Sequence, residues 1–140
     1  MRISDLISDI RNQDLVLPEF QREFVWSREQ AKQLLVSLTQ RYPIGGILLW
    51  KTQHPPELKN ISSLDSRLGT YQLILDGQQR LTTLYMLVTG EIPPYYTDLE
   101  IETDIRSLCM NVEDGDFQYY QPVRMRDDPT WVNVTECFKD

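Results

Sequence analysis

The fold is decided by residues 71–88, which read YQLILDGQQRLTTLYMLV. Tyr71, Leu73 and Leu75 alternate along the first part, a period typical of a β-strand. The residues after the turn have apolar side chains at helical spacing, namely Leu81, Leu84, Tyr85 and Val88. Gly90 then stands where the C-terminal cap of a helix is expected. The sequence therefore predicts a strand that turns at one glycine and opens directly into a helix.

The turn of this unit, Asp76-Gly77-Gln78-Gln79-Arg80, is a candidate anion-binding site. A helix N-terminus presents backbone N–H groups and the positive end of its dipole, and Arg80 adds a fixed fork of donors. We expect Arg80 to bind a phosphate and Gly77 to allow close approach of the backbone. Asp76 could hold a divalent ion or orient Arg80, and Gln78 or Gln79 could position a water molecule or read a base edge. The alternative is that these side chains only cap the helix and face water.

A second candidate cluster follows the short apolar run Leu15–Phe20, which predicts a strand with Pro18 at its edge or end. Gln21 and Arg22 come next. An arginine flanked by apolar residues is expected to pair with an anion or with a carboxylate such as Glu19 or Glu23. The two aromatic residues beyond it, Phe24 and Trp26, are expected to belong to the core.

The remaining pattern mixes helices and strands. Helices are predicted from Ile3 to Ile10, from the Ser27 cap to about Arg41, and after Thr135. The run Ile47–Trp50 is apolar throughout and predicts a buried strand, while Lys51–Thr70 reads as a long loop. The other predicted elements are a strand within residues 106–112 and a hairpin at Glu113-Asp114-Gly115-Asp116. This mixture predicts a small α+β (mixed α/β) domain.

Composition narrows the functional classes. The 140 residues favour a single domain, and 41% hydrophobic with 25% charged residues is ordinary for a folded soluble chain. No apolar run approaches a membrane span and no secretory signal is evident, so we expect a cytoplasmic protein without a membrane partner. A net charge of -7 disfavours a stand-alone binder of duplex DNA. The spacing of Cys109, Cys137 and the single His54 predicts no zinc site, and Ser-His-Asp, Walker and HNH patterns are absent.

Three motifs together carry a family resemblance. They are Leu17-Pro18-Glu19-Phe20-Gln21-Arg22 with its aromatic continuation to Trp26, Tyr42-Pro43-Ile44-Gly45-Gly46 with the run to Trp50, and Leu75-Asp76-Gly77-Gln78-Gln79-Arg80 with the run to Leu84. In this order and spacing the chain resembles the N-terminal domain of GmrS/GmrD-type, modification-dependent (type IV) restriction endonucleases, a domain with a ParB/sulfiredoxin-like fold. The resemblance covers most of residues 3–90 and continues more weakly from 106 to 138.

The resemblance implies a nucleotide-binding module of bacterial anti-phage defence against modified DNA, and nucleotide hydrolysis is the activity expected of such a module. Asp76 to Arg80 would be its phosphate-handling turn, and Gln21 with Arg22 the companion across the pocket. The sulfiredoxin branch needs a cysteine in this turn, where Gln78 and Gln79 stand, so peroxiredoxin repair is rejected. The usual partner is a C-terminal nuclease domain of HNH type, which nothing here matches. We therefore expect residues 1–140 to be one N-terminal domain, a fragment of a longer protein, without nuclease activity of its own.

Three functional hypotheses follow. In the first, the domain is a sensor that binds a nucleoside triphosphate with Mg²⁺, with Arg80 and Arg22 on the phosphates, Asp76 serving the metal and Gln78 or Gln79 positioning the attacking water. In the second, the same cluster belongs to a non-catalytic module that contacts a DNA backbone phosphate or a modified group. In the third, the domain is a structural interaction module and the cluster merely caps a helix.

Overall fold

The protein is described by a computed structural model that covers residues 2–43, 45–54, 56–60 and 71–139. Its helices are α1 (Ile3–Arg11), α2 (Arg28–Thr39), α3 (Gln78–Thr89), α4 (Pro122–Met125) and α5 (Val134–Lys139), with a 3-10 turn at Asp98–Glu100. Its strands are β1 (Leu15–Val16), β2 (Leu48–Thr52), β3 (Tyr71–Asp76), β4 (Leu108–Asn111), β5 (Phe117–Tyr119) and β6 (Trp131–Asn133). In the described ranges they form two three-stranded sheets, ordered β1-β3-β2 and β5-β4-β6. The predicted α+β class is confirmed.

Helix α3 lies at the centre of the fold. The sequence predicts one apolar face, but the structure buries almost the whole helix, including two threonines on its other sides. One of them, Thr82, shares a 2.8 Å hydrogen bond with the hydroxyl of the buried Tyr95. At its C-terminal end Gly90 adopts a φ of 74° and its N–H donates to the Met86 carbonyl at 2.8 Å. The strand, turn and helix predicted from residues 71–88 are therefore confirmed, and the other elements pack around them.

Strand β3 is the middle strand of the first sheet, parallel to β1 and antiparallel to β2. Strand β1 is shorter than the predicted Leu15–Phe20. Pro18 has no N–H to donate to a sheet, and the Gln21 N–H closes a turn on the Pro18 carbonyl at 3.0 Å. This turn takes the chain away from the sheet and leaves the Phe20 side chain 72% exposed.

The strand predicted at residues 47–50 is present as β2, but the prediction that it is buried was wrong. Strand β2 pairs with β3 along one edge of the sheet, and its Leu48 and Trp50 are 58% and 44% exposed. A short apolar run does not tell an edge strand from a central one, because both contain apolar residues on at least one face. Of the long loop predicted after it, residues 61–70 lie outside the described ranges, whereas Leu58 is buried and bridges to Pro18.

The β4–β5 hairpin of the second sheet and the cap of α2 follow the sequence pattern, whereas strand β6 and the short helix α4 were not predicted. The β4–β5 hairpin turns at Gly115, which has a φ of 77°. The Ser27 hydroxyl accepts the Gln30 N–H at 3.2 Å while the Gln30 side chain accepts the Ser27 N–H at 2.9 Å, so the predicted capping box of α2 is present. Helix α5 begins at Val134, directly after β6.

His54 and Cys137 are exposed, whereas Cys109 is buried. In the part of the chain that is described, none of the helices has the length and apolarity needed to cross a lipid bilayer.

Glu100 is the centre of a polar cluster that ties two loops together. Its carboxylate accepts hydrogen bonds from Lys59 Nζ at 2.9 Å, Asn60 Nδ2 at 2.9 Å and the Thr97 N–H at 3.0 Å. Burial alone raises the pKa of Glu100, but the hydrogen bonds from Asn60, Lys59 and Thr97 outweigh it and lower that pKa to about 2. The ionised form of Glu100 therefore stabilises the folded state.

We expect this cluster to contribute to acid unfolding. A carboxyl group whose pKa is lower in the folded state contributes stability above its ordinary pKa of 4.5, and that contribution is lost as the pH falls towards 2. Glu100→Gln should therefore reduce the free energy of unfolding by roughly 1 to 3 kcal/mol at pH 7 and flatten its fall between pH 5 and pH 2. Urea unfolding across this range measures both effects. Glu113→Gln, in the exposed hairpin, is the control, and a Glu100→Gln profile parallel to the wild type would contradict the assignment.

Candidate functional site

The candidate site begins where β3 ends. Asp76 is the last residue of the strand, Gly77 has φ and ψ of 90° and 11°, and α3 starts at Gln78. The Gly77 N–H donates to its neighbour's side chain, Asp76 Oδ1, at 2.9 Å. The glycine carbonyl then accepts the first helical hydrogen bond, from the Leu81 N–H at 3.0 Å. The Asp-Gly dipeptide thus makes a tight left-handed turn that L-residues adopt at a cost.

Gly77 is also required by its surroundings. A Cβ atom at this position would lie 3.0 Å from Ile47 Cγ1 and 3.1 Å from the Gly46 carbonyl oxygen. The sequence predicts close approach of a backbone at Gly77, and the backbone that approaches is the segment 45–47, immediately before β2. A register irregularity between Leu48 and Leu49 occurs in the same place, where Leu48 pairs with Asp76. Irregularities of this kind are common beside functional sites because they re-aim side chains.

Arg80 connects the helix to that segment. Its Nη2 donates to the Gly46 carbonyl, and its guanidinium carbon lies 3.2 Å from the position that a Cβ on Gly45 would take. The Arg80 Nε is buried and has no hydrogen-bond partner among the residues that the structure describes. Buried donors without a partner are rare and energetically costly, and they therefore call for an explanation.

A groove of about 350 Å³ opens beside Arg80. Its other walls are Trp26, Pro43 and one side of α2, which contributes Glu29, Gln30, Gln33, Leu34 and Ser37. Glu29 is the acidic residue of this lining, and it accepts a 2.9 Å hydrogen bond from the Gln33 amide. The groove thus combines one cation, one carboxylate, several neutral hydrogen-bonding groups and an aromatic ring.

The two glutamines of the turn are equally buried but differ in their contacts. The Gln79 side chain is 5% exposed and clamps the loop before α2, since its Oε1 accepts the N–H groups of Val25 at 2.9 Å and Trp26 at 3.2 Å. Its Nε2 donates to the Glu23 carbonyl at 3.0 Å. Gln78 is 9% exposed, and its side chain makes no hydrogen bond to any described residue. Gln79 therefore positions backbone, while the amide of Gln78 is uncommitted.

Gln21 lies against the end of β3. Its amide donates to the Leu75 carbonyl at 3.0 Å, one residue before Asp76. The structure thus brings Gln21 to the strand end from which the Asp-Gly turn begins, as the sequence motifs suggest. The following residue is held through its backbone, because the Tyr96 hydroxyl donates to the Arg22 carbonyl at 2.7 Å.

The expected ion pair of Arg22 with Glu19 or Glu23 is not found. The Arg22 side chain is exposed, and within the described ranges it has no salt bridge. Glu19 instead shares a hydrogen bond with Glu57, which raises the pKa of Glu19. Arg22 was expected to need an ion pair because apolar residues flank it in the sequence. The turn at Pro18 leads the chain away from the sheet, so the Arg22 side chain is exposed to solvent and does not need one.

Asp76 is exposed, with one carboxylate oxygen bonded to the Gly77 N–H. Among the residues that the structure describes, no group of three or more His, Cys, Asp or Glu side chains could hold a metal ion by itself. An Mg²⁺ ion at Asp76 would therefore need additional oxygen ligands from a bound phosphate and from water.

Sequence reasoning missed several parts of this site. Trp26 was expected in the core; it packs against the core and also lines the groove, and the polar residues of α2 were not assigned to any site. The Gly45-Gly46 pair was not assigned to the site, although it is the contact surface for Arg80 and Gly77. Two successive glycines before an apolar strand are the signal that could have indicated close packing of backbone.

Comparisons with known proteins agree with the motifs described above. The chain matches the model of the GmrSD restriction endonuclease N-terminal domain over residues 3–133. It is also similar to the uncharacterized protein MJ0686 of Methanocaldococcus jannaschii, with 32% identity over 135 residues that cover 82% of this chain and 23% of that protein. The chain thus spans about a quarter of the length of this relative. By its match over nearly all of its length, the chain belongs to the GmrSD restriction endonuclease N-terminal domain family.

Proposed function

We propose that this domain binds a nucleoside triphosphate together with Mg²⁺ and serves as the nucleotide sensor of a restriction system that acts on modified DNA. Membership of the GmrSD restriction endonuclease N-terminal domain family supports the restriction-system part of this proposal. The nucleotide, the metal and the sensor role are supported by the arrangement of Arg80, the groove beside it and the Asp76-Gly77 turn.

Arg80 is the observation that carries the proposal. Of the five N–H donors of its guanidinium, one is held by the Gly46 carbonyl, which fixes the orientation of the plane. The buried Nε has no partner in the described part of the chain, and the side chain lines an open groove. An anion on the remaining donors would gain charge-assisted hydrogen bonds from a group whose orientation is already fixed. A volume of about 350 Å³ is within the usual range for small-ligand sites.

Mg²⁺ would be held by Asp76 and by phosphate oxygens, and it would supply charge neutralisation on the phosphates. The fit rests on the donor set, since one oxygen of Asp76 is bonded to the Gly77 N–H and the other remains available to a cation. A carboxylate that shares its metal with phosphate and water is the usual arrangement for Mg²⁺ in nucleotide sites.

Hydrolysis of the nucleotide is the catalytic part of the proposal. Water would attack the terminal phosphorus, and the bond to the bridging oxygen would break, which yields a nucleoside diphosphate and inorganic phosphate. Gln78 is the better candidate for orienting that water, because its amide has no hydrogen bond to a described residue while Gln79 is bonded to three backbone groups. DNA and a C-terminal nuclease domain or subunit are the partners that we propose for the whole protein.

Thermal-shift measurements test nucleotide binding. We expect one or more of the four ribonucleoside triphosphates, with Mg²⁺, to raise the melting temperature, since a ligand at about 100 times its dissociation constant stabilises the folded state by roughly 2.7 kcal/mol. Arg80→Gln should abolish this shift while the circular dichroism spectrum stays native. Arg126→Gln, an exposed arginine after α4, is the matched control and should retain the shift. Absence of a shift in the wild type, or its persistence in Arg80→Gln, would contradict the proposal.

Direct contact of DNA by this domain is the second candidate function. The exposed Arg22, without a carboxylate partner among the described residues, is the observation that favours it. Binding of an oligonucleotide in the absence of nucleotide, with an affinity that falls steeply with salt and is reduced in Arg22→Gln, would support this function. Nucleotide binding lost in Arg80→Gln supports the first proposal instead.

A further inference from the structure

We propose that Phe20 is the stacking surface for the base of the bound nucleotide. This inference rests on the proposed function, and it adds a residue that the sequence pattern assigns to the end of a strand. The Phe20 side chain is 72% exposed, although Leu17 before it and Phe24 after it are completely buried. The chain thus turns one large aromatic ring outwards between two core residues.

The backbone on both sides of Phe20 is fixed. The Glu19 N–H donates to the Glu57 carbonyl at 2.9 Å, and the Gln21 N–H donates to the Pro18 carbonyl at 3.0 Å. The Gln21 side chain is anchored to the Leu75 carbonyl at 3.0 Å. An aromatic ring presented on a rigid turn loses little conformational entropy when a ligand binds, which makes it a favourable contact surface.

The neighbourhood of the ring indicates the class of ligand. Arg22, two residues along, is exposed and has no ion pair among the described residues, and the Tyr96 hydroxyl holds its carbonyl. The Gln21 anchor places this turn at the end of β3, beside Asp76. An exposed aromatic ring two residues from an exposed arginine is a combination suited to nucleotides, since the base can stack on the ring while the arginine contacts phosphate. Stacking accepts every base, so we expect little base preference from this contact.

Binding of a base-free ligand separates this role from phosphate binding. We would measure dissociation constants by calorimetry, in Mg²⁺, for the best-binding nucleoside triphosphate and for inorganic tripolyphosphate. Phe20→Ala should weaken nucleotide binding about tenfold or more and leave tripolyphosphate binding unchanged, whereas Phe20→Trp should retain the wild-type nucleotide affinity. Tyr120→Ala, which truncates another exposed aromatic residue, should change neither constant.

Each result distinguishes this inference from the proposed function. Equal loss of both ligands in Phe20→Ala, or loss of neither, would overturn the stacking role while nucleotide binding stands. If the wild-type protein binds neither nucleotide nor tripolyphosphate, the proposed function fails and the inference fails with it. A selective loss of the nucleotide would establish Phe20 as the base contact.

Discussion

Gly77→Ala is expected to lower the free energy of unfolding by about 3 kcal/mol. Two effects add at this position. A left-handed conformation costs an L-residue roughly 1 to 2 kcal/mol, and the new methyl group would lie 3.0 to 3.2 Å from Ile47 and the Gly46 carbonyl. The backbone cannot yield there without moving Arg80 away from its bond to the same carbonyl. Equilibrium unfolding in urea, with the m-value compared between variants, measures this loss.

Gly115→Ala is the matched control for this substitution. Gly115 also has a positive φ, 77°, but a Cβ there would meet no atom within 4 Å. We expect a loss of about 1 kcal/mol from the backbone conformation alone. Equal destabilisation of the two alanine variants would contradict the close contact between Gly77 and the segment 45–47.

Gln79→Leu is expected to cost about 3 kcal/mol of stability. The substitution keeps the size of the side chain but leaves the N–H groups of Val25 and Trp26 and the carbonyl of Glu23 without their partner. Each partly buried backbone group left unpaired costs of the order of 1 kcal/mol or more. Because these groups belong to the loop that carries Trp26 to the groove, the variant should also weaken nucleotide binding.

Gln78→Leu is the comparison that isolates the hydrogen bonds. Gln78 is adjacent in sequence and almost as buried, yet its side chain has no hydrogen bond to the described residues. Its replacement should change the free energy of unfolding by less than about 0.5 kcal/mol. Nucleotide hydrolysis, if the wild type shows it, should fall in this variant. A loss of stability equal to that of Gln79→Leu would show that the two amides are not distinguished in the way we describe.

The sequence predicts the central unit of the fold well and its edges poorly. The period-2 and helical patterns of residues 71–88, with glycine at both ends of α3, were sufficient because local and tertiary preferences agree there. Residues 47–50 were misread because burial of a strand depends on how many neighbours it acquires. Phe20 was misread because a single turn bond at Pro18 reversed its direction.

The candidate site could be predicted only in part, because a sequence pattern reports on residues that are close along the chain. Asp76 to Arg80 are contiguous in sequence, so a local pattern could place them together, and the motif with Gln21 indicated a second segment. The wall formed by α2 and the contact of Arg80 with Gly45 and Gly46 depend on residues more than 30 positions away. Periodicity carries no information on such contacts.

The central claim is that Arg80 binds the phosphates of a nucleotide in this domain. Calorimetric titration of the wild type and of Arg80→Gln with the nucleoside triphosphate that stabilises the protein most, in Mg²⁺, tests it most directly. We predict one site per chain in the wild type and an affinity at least about 100-fold lower in Arg80→Gln, since charge-assisted bonds to a desolvated phosphate contribute several kcal/mol. Undiminished binding in a folded Arg80→Gln variant, or no heat of binding in the wild type, would contradict the assignment of this groove as a nucleotide site.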